Sequence, residues 1–262
     1  MTKPIPALPA YWGRSEDRQQ AVNDLFDRSA RHYDWICAAM SAGTGQAYRR
    51  EALGRAGVRE GTAVLDVGTG TGLVAREALR LVGASGRVIG LDPSAGMMHA
   101  GRDWGRESVG VQSDSRPQLH FVQGGGERLP FAAGTFDFVT MGYALRHVPD
   151  LEEAFREYRR VLRPGGRVLL LEVTRPASRL GLAFARGYFG SIVPLIAWIG
   201  TGSRDASRLM RFYWDTIAYC VPAPAVMTAL EAAGFTNPAR RVLRGILTEY
   251  TATNTRNHES ES

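Results

Sequence analysis

Two acidic residues, Asp66 and Asp92, each close a short apolar run, and glycines crowd the turn after the first. The first stretch reads Leu65-Asp66-Val67-Gly68-Thr69-Gly70-Thr71-Gly72, the second Leu91-Asp92-Pro93-Ser94. This spacing predicts a strand, a tight turn, a helix and a second strand, with a turn built for close backbone approach to a ligand. A dinucleotide turn has the form G-x-G-x-x-G/A. Gly68 and Gly70 fit its first two positions, but the third falls on Leu73. Asp66 is more telling, because a carboxylate two residues before the turn repels a pyrophosphate and favours a cation. S-adenosylmethionine carries a sulfonium and an amino group and no phosphate, so Asp66 argues for that cofactor. Asp92 stands where an acid accepts hydrogen bonds from ribose hydroxyls. No Gly-Lys-Ser/Thr exists, which excludes a Walker loop. The bland alternatives are a ligand-free turn and, for Asp92, a helix N-terminal acid ahead of Pro93 and Ser94.

The elements that must hold these residues follow from pattern. Strands are expected near Ala63–Val67, Arg87–Leu91, Gln118–Val122, Phe136–Met141, Gly166–Val173, Ala239–Leu243 and Ile246–Thr253. Helices are expected at Leu151–Leu162, where apolar residues recur at helical spacing, and at Ala223–Ala233. Strands alternating with helices imply an α/β fold with ligands at the C-terminal ends of parallel strands. Residues 1–57 read as an extended arm and a helical cap, and 58–176 as the cofactor-binding core. Residues 177–221 read as an aromatic-rich insert of two or three helices, and 222–262 as a last helix, two strands and a disordered polar tail.

With 262 residues, 44% of them hydrophobic, the chain can bury one large core. Its formal net charge is +6 and its pI about 9.7. Lys3 is its only lysine, and the arginines are scattered, so the charge does not read as a nucleic-acid face. It could still serve at an anionic membrane. Cys37 and Cys220 form no C-x-x-C pair, which fits a reduced, cytoplasmic protein, and no metal site is expected. Met1–Arg14 lacks the apolar stretch of a signal peptide. The longest apolar segment, Tyr188–Ile199, contains Pro194 and is too short for a membrane span.

The segments LDVGTGTG, LDPS, GERLPF, FDFVTMGYALRHVPD and VLRPGGRVLLLEVTRP together resemble class I S-adenosylmethionine-dependent methyltransferases. Phe26–Ser41, Ala144-Leu145-Arg146-His147, Glu172–Pro176, Tyr188–Pro194 and Ala233-Gly234-Phe235 resemble signatures of the ubiquinone/menaquinone biosynthesis C-methyltransferase family. The resemblance runs from about Phe26 to Thr251. It implies a Rossmann-like sheet of seven strands, six parallel and one antiparallel, with a helical cap and a helical insert after strand five. It also implies cofactor contacts at Thr71, Asp92, Gly125, Gly126 and Gly142, joined by Asp66, Gly68, Gly70 and Met97. The chain departs from the family at three places. Gly125-Gly126 replaces Asp/Asn-Ala, His147 replaces Asn, and Gly45-Gln46-Ala47-Tyr48-Arg49 replaces H-R-x-W.

Methylating a hydroxylated ring at carbon needs the ring oxygen deprotonated, hence a base or a cation near it. Arg146 is a candidate for stabilising that oxyanion, His147 for the base, and Tyr33 for positioning the acceptor. A structural role is the alternative for each; Asp34 is a further candidate base, with helix capping the favoured reading. The insert reads as a lid over a bulky apolar or aromatic substrate, or as a surface for a membrane or a second subunit. Three outcomes remain open: methylation of a quinol-type ring, methylation at C, O or N of a specialised metabolite, and cofactor binding without transfer.

Overall fold

The computed structural model describes residues 18–108, 119–176, 178–218 and 220–255. The expected N-terminal arm, Gln118 and nearly all of the polar tail lie outside them. Among the described residues, seven strands form one sheet: β1 (Ala63–Val67), β2 (Arg87–Asp92), β3 (Leu119–Gln123), β4 (Phe136–Gly142), β5 (Leu162–Val173), β6 (Thr236–Leu243) and β7 (Leu247–Thr253). Their order is β3-β2-β1-β4-β5-β7-β6. β7 pairs antiparallel with both β5 and β6, while all other pairs are parallel. Six strands therefore point one way and one the other, as the sequence predicts. All five residues of β1 are buried, which is why that strand reads as a continuous apolar run. The strand order reverses between β1 and β4, and a ligand crevice opens outside the strand ends at such a switch point.

Helices cover both faces. On one, α2 (Gly45–Ala56) and α3 (Leu73–Val82) bury Leu53, Val74, Ala78 and Val82 against the sheet. On the other, α5 (Leu151–Val161) and α9 (Ala223–Ala232) pack through Phe155, Tyr158, Val226 and Leu230. Asp150 caps α5 by accepting from the Glu152 and Glu153 amides, which fixes where that helix starts. β5 begins earlier than expected. Leu162 already pairs with Phe136, and the register then shifts across Pro164 and Gly165, within the strand, before Phe138 meets Arg167.

The insert supplies α6 (Arg179–Gly187), a π-helical turn (Tyr188–Ile192), α7 (Val193–Thr201) and α8 (Arg204–Ala218). The first three run on as one helix of 23 residues, Arg179–Thr201, long and apolar enough to cross a membrane by length and composition. This corrects the expectation that the apolar segment is too short. Pro194 is second in α7, directly after the π turn in which the Val193 amide donates to Tyr188 O, a local widening of the kind by which a continuous helix takes up a proline. The insert shares a separate core with α1 (Arg18–Met40), formed by Leu25, Ile36, Val193, Ala197, Leu209 and Phe212.

Candidate active site

At the end of β1, Asp66 is buried between two hydroxyl donors. Its Oδ2 accepts from Thr69 Oγ1 at 2.7 Å and its Oδ1 from Thr140 Oγ1 at 2.8 Å. Burial pushes its carboxyl up to about 6, against the pull of those two hydrogen bonds. At the end of β2, Asp92 Oδ2 accepts from the Gly70 amide at 2.7 Å and Oδ1 from the Ser94 amide at 2.8 Å. The Gly68 and Thr69 amides both donate to Leu91 O, so the glycine loop is tied across the top of β2. Gly68 has a φ of +66°, and a Cβ there would stand 2.8 Å from that of Ala144. At Gly142 a Cβ would meet Val74 Cγ2 at 2.6 Å. Side chains at either position would close the crevice between β1 and β4.

These residues fit S-adenosylmethionine. Each oxygen of Asp92 accepts one hydrogen bond here and has a further lone pair for a ribose hydroxyl. Asp66 offers negative charge where a cation is to be held, and Gly125, Gly126 and Met97 line the same cavity. Thr71 lines it too, but its hydroxyl donates to Asp34 Oδ1.

That bond belongs to a pair of straps from α1. Asp34 also holds Arg76 Nη1 at 2.6 Å, and Arg76 Nη2 donates to Thr71 O at 2.7 Å. One heptad earlier, Asp27 accepts from Ser94 Oγ and from the Gly96 amide. Asp34 lies inside α1, so it caps no helix and instead fixes the cap to the cofactor loop. Asp27 and Asp34 share a helix face, a spacing that the sequence displays and that motif reading passes over.

The cleft widens into a cavity of about 1790 Å³, walled by α1, α2, the ends of β1, β2 and β4, the insert and the β6–β7 hairpin. Tyr33 and Tyr213 meet in it, their hydroxyls 3.4 Å apart. His147 reaches the wall between two rings, stacked on Phe212 and edge-on to Phe26. Arg146 does not line the cavity. The 3-10 turn Leu145–His147 turns it inward, where Nη1 donates to Glu172 Oε1 at 2.7 Å and Nε to Thr216 Oγ1 at 3.0 Å. Burial alone would lower its pKa, but Glu172 and Tyr213 outweigh that and hold it charged. The expected direct contact of Arg146 with a ring oxyanion is therefore corrected. Its guanidinium carbon lies 4.1 Å from the centre of the Tyr213 ring, so it buttresses a residue that does face the cavity. Sequence reasoning missed Tyr213 itself, which lies in the aromatic run Phe212–Tyr219 with nothing local to single it out.

The model of the ubiE/COQ5 methyltransferase family matches residues 14–247. The ubiquinone/menaquinone biosynthesis C-methyltransferase UbiE of Hahella chejuensis is 33% identical over 218 residues, 83% of this chain and 84% of its own. The protein of that name from Pseudomonas paraeruginosa is 37% identical over 193 residues, 74% of this chain and 73% of its own. Among solved structures, a SAM-dependent methyltransferase from Thermotoga maritima superposes with a TM-score of 0.60 at 20% identity, covering 88% of this chain and 99% of that one. One from Aquifex aeolicus gives 0.55 at 18% identity, covering 78% and 88%. These two establish the fold, and the family match establishes the chemistry: the chain is an S-adenosylmethionine-dependent methyltransferase and belongs to the ubiE/COQ5 methyltransferase family.

Proposed function

We propose that the enzyme methylates a ring carbon of a quinol-type aromatic acceptor. The observation that carries this reading is the cavity's second half. It is faced by aromatic side chains, among which the hydroxyls of Tyr33 and Tyr213 meet. The names of the curated relatives, as biosynthetic C-methyltransferases of ubiquinone and menaquinone, support the same class of acceptor. The bound cofactor supplies an electrophilic methyl group on a sulfonium. The chain then has to orient the ring, exclude water and accept a proton. The two tyrosine hydroxyls bind and orient a ring oxygen. His147, clamped between Phe26 and Phe212, takes the proton whose loss pushes electron density onto the ring carbon. Arg146 keeps Tyr213 in place. His147 in the family's Asn position favours one second reading, a phenolic acceptor of specialised metabolism. Radiolabel transfer from the methyl donor into a panel of short-tailed quinols and simple phenols separates the two. Transfer to quinols alone supports the first reading, and transfer to phenols but not quinols overturns it.

The insert also supports peripheral contact of a cytoplasmic enzyme with an anionic bilayer. Leu180, Phe184, Trp198 and Ile199 are exposed, and Phe184 is at once on this face and on the cavity wall. From Thr174 to Arg204 the chain carries four arginines and no Asp or Glu. An apolar ridge with a basic rim matches a negatively charged lipid surface, and its continuity with the cavity gives an apolar acceptor a way in. Co-sedimentation with phosphatidylcholine vesicles, with and without phosphatidylglycerol, tests this. Binding is expected to require phosphatidylglycerol and to be lost in the Phe184→Glu/Ile199→Glu double variant. A wild-type dimer in sedimentation velocity that the same variant dissociates would assign the face to a second subunit instead.

A further inference from the structure

α2 carries three arginines whose surroundings differ. Arg50 pairs with Glu77 at 2.8 Å and Arg55 with Glu249 at 2.6 Å. Arg49 directly precedes Arg50 in the sequence, is only 7% exposed, and has neither an ion pair nor a hydrogen bond among the described residues. Its Nε is buried and unpartnered. The groups around it leave the charge unanswered. From α1 comes the Cys37 thiol, which burial pushes up to about 11 against the pull of Arg49. From α3 comes Arg76, a like charge already held by Asp34. After β4 comes Tyr143, whose ring centre is 5.7 Å from the Arg49 guanidinium carbon.

A guanidinium stays ionised under all ordinary conditions, so burial without a counter-ion is unfavourable until an anion arrives. The surroundings are arranged to keep it there. Tyr143 has a φ of +62°, a left-handed conformation that a bulky side chain rarely adopts, and its amide is fixed by a 2.7 Å bond to Leu171 O. That turn sets its ring against the guanidinium. A Cβ at Gly45 would stand 3.2 Å from Arg49 Nη1, so the glycine leaves room where the chain departs from the family's H-R-x-W pattern. Arg49 also lines the same cavity as Asp66, Thr71 and Gly142, and its neighbours lead to the cofactor loop: Tyr143 directly follows Gly142, and Arg76 binds Thr71 O.

We infer that Arg49 is the site for the carboxylate of the methyl donor's amino-acid moiety. S-adenosylmethionine brings two positive groups and one negative group to this end of the cleft. Asp66 is the acid suited to the positive side, and Arg49 the unanswered base suited to the negative one. The planar guanidinium matches a carboxylate with two parallel hydrogen bonds, a geometry an ammonium does not reproduce. The same chemistry, an oxyanion, could also come from a ring oxygen of the acceptor, and the experiment separates the two sources.

Calorimetric titration of the wild type, Arg49→Lys and Arg49→Met with two donor-site ligands provides the test. S-adenosylhomocysteine carries the carboxylate, and 5′-methylthioadenosine lacks the amino-acid moiety. Arg49→Met is expected to bind S-adenosylhomocysteine about 10–100-fold more weakly and 5′-methylthioadenosine unchanged. Arg49→Lys is expected to fall between, and its unchanged affinity for 5′-methylthioadenosine reports an intact adenosine pocket. Equal loss for both ligands assigns Arg49 to the fold and overturns the inference. No loss for either overturns it too, and if the acceptor's KM rises in that case, the oxyanion belongs to the acceptor.

Discussion

The two halves of the cavity are built on different plans. At the cofactor end, the acids are held by the chain itself. Asp66 is fixed by two threonine hydroxyls, Asp92 by two backbone amides, and the loop between them by Leu91 O. The two acids and the groups that hold them come from the tips of β1, β2 and β4, which the parallel sheet brings together. At the acceptor end, the walls come from α1, the loop after β4 and α8, and their polar groups are joined by side-chain contacts across long stretches of sequence. Arg146 holds Glu172 and Thr216, and Tyr33 meets Tyr213. A sheet edge can preserve a binding site while helices laid over it are exchanged. That arrangement lets one donor site serve many acceptors.

Removing the ion pair behind the acceptor wall is expected to have the largest effect. Glu172→Ala leaves the Arg146 charge buried and uncompensated, and is expected to cost about 3–5 kcal/mol in urea unfolding. A loss below about 1 kcal/mol would mean that this wall does not depend on its polar skeleton. At the other end, Asp92→Ala removes the proposed ribose acceptor and frees the Gly70 amide. Donor affinity should fall about 30–100-fold by titration, with the acceptor KM at saturating donor unchanged. If both change together, the halves are not separable. Tyr213→Phe makes the reciprocal case: kcat should fall about tenfold while donor affinity stays the same.

The smallest effect is a pH dependence. The Asp66 carboxyl titrates near 6 in the ligand-free protein because it is buried. A bound cation favours its ionised form and lowers that pKa. Below about pH 6 the free protein therefore carries a proton that must leave on binding, so donor affinity should rise with pH up to about 6 and level off above it. Titrations in buffers of different ionisation enthalpy should show proton release at pH 5.5 and little at pH 8. Affinity that is flat from pH 5 to 8 would place the donor's cation away from Asp66.

The same contrast explains what could be read in advance. The glycine loop, Asp66 and Asp92 are contiguous motifs on alternating strands, and the sheet they imply is the one that forms. Thr71 was placed at the cavity, though its hydroxyl turns out to serve Asp34, because the sequence cannot show what a helix folded over the loop will donate or accept. Arg146 was expected to face the acceptor. Its inward turn depends on Glu172, which is 26 residues away on β5, and on Thr216, 70 residues away on α8. Tyr213 carries no local signature, and Arg49 stands out only as the last residue of the segment that departs from the family's H-R-x-W. What marks them is a neighbouring hydroxyl in one case and a missing counter-ion in the other, and both are properties of tertiary packing.

The proposed reaction delivers a methyl group in this cavity to a ring carbon of a quinol. The enzyme can be incubated with donor labelled with carbon-13 in its methyl group and a short-tailed demethylated quinol, and the product examined by carbon-13 NMR. The predicted result is a single labelled methyl bonded to an aromatic carbon. A labelled methoxyl signal would contradict the claim, as would an unlabelled quinol beside an enzyme shown to bind its donor.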